Sequence, residues 1–264
     1  MNTNGLWRVL LGPVLLLVLS YIIYFVRYPM WQFFSNLEPI FAIMFLSYFI
    51  IFTVALLLLK KDSKKNLRDV FKNKSGRMIF YGLLFGLLYL GLYYLISYVL
   101  GSSFEFGSFP NLRGYEGYTV FSVGSVFLLY LLFSVFGGFA EEVAYRGYVQ
   151  TRVSDRYGVL LGIVASTVFF SLQHIHVFQA GWIFQFIQGQ LLHVALFGIF
   201  AGYLFYTSAE NIWSVVSFHV LLNAFVVSVP VIVTSSFKYA FCVAEIGSFT
   251  IMILILKYLL LKKK

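Results

Sequence analysis

Four positions or pairs of positions in this 264-residue chain set ionisable groups inside apolar runs. Glu141 and Glu142 stand together in FGGFAEEVAYRGYVQ. His174 lies in FFSLQHIHV and His193 in QLLHVALFG. His219 lies in SVVSFHVLLNAF, with Asn223 four residues on. Such groups are costly in hydrocarbon, so each is a functional candidate by default. Arg146 follows Glu142 at i+4, acid first, which is ion-pair spacing on a helix. That pair reads as mutually neutralising, holding its helix in place. Glu141 is left with no local cation, and a carboxylate so placed suits a general base. His219 and Asn223 share one helix face. An imidazole and a carboxamide there are suited to holding a developing oxyanion or a water. The other polar positions have plainer readings. His193 is a packed or interfacial histidine, His176 is interfacial, and Glu210 and Glu245, near span ends, are solvated. Gly137, Gly138, Gly198 and Gly202 let helices approach closely.

The elements that must position these groups are membrane helices. The chain is 61% hydrophobic and 11% charged, against about half apolar and about a quarter charged in a soluble domain. The formal charge of +9 does not point to nucleic acid, because the basic residues lie in short runs between apolar stretches. Cys242 is alone, so no intrachain disulfide forms. Apolar runs of about 20 residues predict eight spans, at 6–27, 40–59, 78–100, 119–153, 158–177, 183–205, 211–229 and 238–260. The first is expected to be a retained helix, not a signal peptide, since no small-residue cleavage site follows it. The fourth is too long for a simple span and should continue as helix to Arg152 and Arg156. Spans four and five should fold back around Tyr157-Gly158, midway between Glu141 and His174. The two groups then face each other at similar depth with no helix distortion. The expected fold is an all-α polytopic bundle, one integral membrane domain over 1–264. The loop at 60–77 carries eight Lys and Arg and is expected to be cytoplasmic. Eight spans then put both termini inside, with 16 of the 19 Lys and Arg on that side. Trp7, Tyr28, Trp31, Trp182, Trp213 and Tyr258 near span ends fit interfacial anchoring.

Three motifs then come into view together. They are Glu141-Glu142-Val143-Ala144-Tyr145-Arg146, then Phe170-Ser171-Leu172-Gln173-His174, then His219-Val220-Leu221-Leu222-Asn223. In order, on membrane helices, they resemble the EExxxR, FxxxH and HxxxN pattern of the CPBP family, which includes CAAX prenyl endopeptidases and bacterial Abi proteins. The resemblance covers about 119–229. It implies an intramembrane endopeptidase with a site open to the cytoplasm, in the cell membrane, acting on hydrophobic, membrane-associated or lipidated peptides. Glu141 and His174 would activate water, His219 and Asn223 would stabilise the oxyanion, and Glu142 and Arg146 would organise the helix. Whether zinc takes part stays open: Glu141, His174 and His219 could supply three ligands, but the spacing is not HExxH, and a metal-free glutamate mechanism is preferred. The alternative from another class is a non-catalytic scaffold or bacteriocin-type self-immunity protein. A transporter is weaker still, for no repeat symmetry is visible.

Overall fold

The computed structural model describes residues 3–62, 70–71, 75–106, 123–175, 191–228, 231–235 and 239–261. The helices are α1 (Thr3–Phe33), α2 (Leu37–Asp62), α3 (Ser75–Val99), α4 (Val123–Glu142), α5 (Thr151–Tyr157), α6 (Val159–Gln173), α7 (Leu191–Thr207), α8 (Ile212–Ser228) and α9 (Ala240–Leu261). A π-helical segment, Val143–Gln150, joins α4 to α5. The main helices are apolar around most of their circumference, as lipid on one side and protein on the other require. Leu57, Leu87 and Leu160 stand exposed on the outside, while Phe200, Phe218 and Tyr145 are fully buried within.

Among the described residues five helical stretches are long and apolar enough to cross a membrane: Val9–Val26, Leu37–Lys61, Gly76–Val99, Gly124–Tyr157 and Ala240–Leu259. The chain is an integral membrane protein. The remaining three expected spans appear as shorter apolar helices of 15 to 17 residues. Helix α6 is short because its regular structure stops at Gln173, and His174 takes φ −85° and ψ 0°. The other difference in fold class is a strand pair. Ser102–Phe106 (β1) and Val231–Ser235 (β2) run antiparallel, with Ser102 opposite Ser235 and Phe106 opposite Val231. The all-α reading did not include it. Gly101, at φ 79°, turns the chain out of α3 into β1. The β-branched run VIVTS then has a partner for its backbone groups.

The fold-back at Tyr157-Gly158 is present, with Gly158 at φ 91°. A glycine suits that left-handed turn. The path into it, however, is not an undistorted helix. All eight residues Val143–Gln150 are buried in π geometry, and such wider turns recur at functional sites. Around this segment α2, α6 and α7 pack, while α8 lies against both α3 and α4. The closest approach of α3 to α8 is at Gly82, where a Cβ would lie 2.1 Å from the Ser214 carbonyl oxygen. Only glycine fits there. Helix α9 closes the bundle against α3 and α7.

Candidate active site

Arg146 is the largest fully buried side chain, and its surroundings explain how a guanidinium survives there. Nη1 donates to Glu142 Oε1 at 3.0 Å and Nη2 to the Gly198 carbonyl at 3.3 Å. The guanidinium also lies over the Phe170 ring at 4.6 Å and the Phe197 ring at 5.5 Å, which is cation–π distance. Four residues further along, Gln150 Nε2 donates to the Gly202 carbonyl at 2.8 Å. Helix α7 comes this close because of its glycines. A Cβ on Gly198 would sit 2.8 Å from Thr167 Cγ2, and one on Gly202 would sit 3.0 Å from Ile163 Cγ2. The expected Glu142–Arg146 pair is therefore present, buried on both sides.

The same carboxylate holds His219. Its Nδ1 lies 2.7 Å from Glu142 Oε1. A carboxylate accepts, so Nδ1 carries the proton in the neutral ring. That turns Nε2 toward Glu141, 3.7 Å from Oε2. Glu141 has more company than its sequence position implies. Its Oε1 accepts from Tyr48 Oη at 3.0 Å and from Gln173 Nε2 at 2.7 Å. Gln173 is oriented in turn, its Oε1 accepting from the Tyr145 hydroxyl and from Ser20 Oγ. One Glu141 oxygen is thus fixed by two neutral donors while the other faces His219.

His174 sits just past the end of α6, with Nδ1 2.8 Å from the Phe170 carbonyl oxygen. A carbonyl only accepts, so Nδ1 is the donor and Nε2 keeps its lone pair. Asn223 Nδ2 donates to the Ser134 carbonyl at 3.1 Å, leaving its second amide hydrogen and Oδ1 for other partners. Glu141, His174, His219 and Asn223 line one cavity of about 230 Å³, together with Tyr48 and Ser134. Among the described residues Glu141 and His174 share it without a direct hydrogen bond; His219 stands between the two glutamates instead. Gly138 gives this cavity its room, for a Cβ there would be 3.3 Å from Asn223 Nδ2 and 3.4 Å from the His219 ring. Gly138 packs helices, as expected, but what it packs against is the site itself.

Residues 123–225 match the family model described as Type II CAAX prenyl endopeptidase Rce1-like. Over that segment the chain is similar to the CAAX prenyl endopeptidases of the CPBP family. No curated protein and no solved structure matches the chain. All seven motif residues, Glu141, Glu142, Arg146, Phe170, His174, His219 and Asn223, fall inside the matched segment, which runs from α4 into α8.

Zinc is the one metal the sequence raised, on Glu141, His174 and His219. Among the described residues no three His, Cys, Asp or Glu groups are gathered to hold one ion. As placed, His219 Nδ1 is taken up by Glu142, and one Glu141 oxygen by Tyr48 and Gln173. The donor set does not fit a metal site in this arrangement, and no step below runs through one.

Two expectations need correction. Glu245 is not solvated: it is 2% exposed, with Tyr89 Oη donating to Oε1 at 2.7 Å and His193 Nδ1 3.1 Å from the same oxygen. Helix α9 packs against α3 and α7, so its Glu245 faces inward although it lies only a turn and a half from the helix start. His193 is packed against Tyr89, Phe197 and Phe249 as read, but its partner is this glutamate. Glu210 is half-buried in the α7–α8 turn at φ 57°. His176 and Trp182 lie outside the described residues. Tyr48, Gln173 and Glu245 are the site neighbours that sequence reasoning passed over. Gln173 alone carried a usable signal, as a carboxamide next to a candidate histidine.

Proposed function

We propose that this protein is an intramembrane endopeptidase that hydrolyses a peptide bond in hydrophobic, membrane-associated or lipidated peptides. The observation that supports this most is the convergence of Glu141, His174, His219 and Asn223 on one small cavity. It lies within a segment matching a family of CAAX prenyl endopeptidases. In this reading His174 Nε2 orients a water and Glu141 Oε2 takes its proton. The hydroxyl oxygen attacks the carbonyl carbon, and the C=O electron pair moves onto oxygen. His219, held at Nδ1 by Glu142, and Asn223, through its second amide hydrogen, stabilise that oxyanion. On collapse the C–N bond breaks and Glu141 returns its proton to the leaving nitrogen. The products are a carboxylic acid and an amine, which pass to carboxylate and ammonium by proton transfer between them. Fixed donors in a water-poor pocket act more strongly on developing charge than they would in bulk water.

Glu142 and Arg146 are positioning residues in this scheme. The site opens to the cytoplasmic side of the cell membrane, both termini are cytoplasmic, and the whole chain is one eight-span domain. Glu141→Gln keeps the side-chain shape and removes the base. Turnover should fall by about 10²–10⁴-fold with the melting temperature in detergent little changed. Unchanged cleavage by that variant would refute the role of Glu141.

A further inference from the structure

A second cavity, about 660 Å³, shares His174, His219 and Asn223 with the first. Its lining is mostly apolar and aromatic, but it includes Tyr89, Tyr93, Tyr94, His193 and Glu245. Glu245 is arranged unevenly: Tyr89 and His193 both bind Oε1, while Oε2 is buried with no hydrogen-bond partner. The side chain is 3% exposed. No lysine or arginine lines this cavity among the described residues. A buried carboxylate oxygen without a partner is costly, and a cation delivered into the cavity would relieve that cost. Tyrosine faces beside it add cation–π attraction: Tyr89 and Tyr93 stack at 6.0 Å, and Tyr93 meets Tyr94 at 5.4 Å.

We propose that the larger cavity is a subsite for a protonated amine of the substrate, taken by Glu245 Oε2 with the neighbouring tyrosine rings. This rests on the peptidase reading and gives its substrate a chemical class: a hydrophobic peptide with a basic group near the cleaved bond. The spacing is short. His219 meets Phe197 at 4.6 Å between ring centroids, and Phe197 meets His193, the partner of Glu245, at 6.3 Å. That path is an upper bound on the separation, so at about 3.5 Å per extended residue the basic group falls within about four residues of the scissile carbonyl.

Two arms test it, one independent of catalysis. In the first, n-octylammonium and n-octanol are compared as ligands by thermal unfolding of the Glu141→Gln protein in nonionic detergent. The amine should bind about tenfold more tightly than the alcohol, and adding Glu245→Gln should remove that difference. Equal binding of amine and alcohol, or an amine preference that survives Glu245→Gln, overturns the subsite. If Glu245→Gln does not fold, the amine–alcohol contrast in the Glu141→Gln protein decides alone. In the second arm, wild-type protein cleaves paired peptides with lysine or norleucine at each flanking position. A lysine preference of about tenfold is expected at one position and should be lost in Glu245→Gln, with norleucine peptides still cleaved. Cleavage with no lysine preference at any position overturns the subsite and leaves the peptidase standing. Absence of all cleavage overturns the peptidase reading, while amine binding in the first arm still stands or falls on its own.

Discussion

At the scale of single residues, Glu142 carries the largest electrostatic load. One of its oxygens receives both Arg146 and His219. Removing one partner of a buried ion pair strands the other charge and costs about 3–5 kcal/mol. Glu142→Gln should therefore lower the unfolding temperature strongly. Adding Arg146→Met should restore much of it, since no buried charge is left unpaired, yet cleavage should stay low because His219 has lost its carboxylate partner. Recovery of activity together with stability would show that Glu142 serves Arg146 alone. Tyr48→Phe removes the hydroxyl that donates to Glu141 Oε1. It should reduce kcat about tenfold with KM and melting temperature unchanged, measured by steady-state kinetics beside a thermal melt. The sequence made the motif residues legible because charge inside an apolar run has few innocent explanations. It could not reveal Tyr48, one of 19 tyrosines with no motif around it. It misplaced Glu245 because distance from a span end was taken for exposure, whereas the packing of α9 turns that face inward.

At the scale of elements, the π segment and α7 form the frame of the site. Arg146 and Gln150 both reach backbone carbonyls on α7, at Gly198 and Gly202. Those bonds need the close approach that the two glycines permit. Gly198→Ala should destabilise by about 1–3 kcal/mol, and Thr167→Ala in the same chain should recover part of it, because Thr167 supplies the nearest contacts. Chemical or thermal unfolding of the single and double variants reads this directly; additive losses would mean the two side chains do not meet. The hairpin between the Glu141 and His174 helices was readable from spacing and from Gly158. The π winding was not, for all eight of its residues are buried and no exposed face marks the helix phase there. The β1–β2 pair escaped for a related reason. Each strand is five residues, and the two lie 125 positions apart at their closest pairing, Phe106 with Val231.

For the whole molecule, the apolar composition and the clustering of basic residues determine what can be said of its place in the membrane. Among the described residues five stretches meet the length and hydropathy of a span. The three short helices α6, α7 and α8 carry or flank the motifs, and polar side chains and close packing take the place of length there. The proposed orientation is checked in a Cys242→Ser background. A cysteine at Lys64 should react with an impermeant maleimide only after cells are opened, and a cysteine at Arg113 should react on intact cells. The reverse pattern would invert the topology and place the site on the outer side.

The most direct measurement of the central claim is cleavage of membrane-associated peptides by purified protein in detergent, wild type beside Glu141→Gln, each with and without a chelator. The account predicts product from wild type, unaffected by chelator, and a loss of about 10²–10⁴-fold in the variant. Cleavage by Glu141→Gln at the wild-type rate would contradict it. Cleavage that the chelator abolishes and zinc restores would contradict the metal-free mechanism.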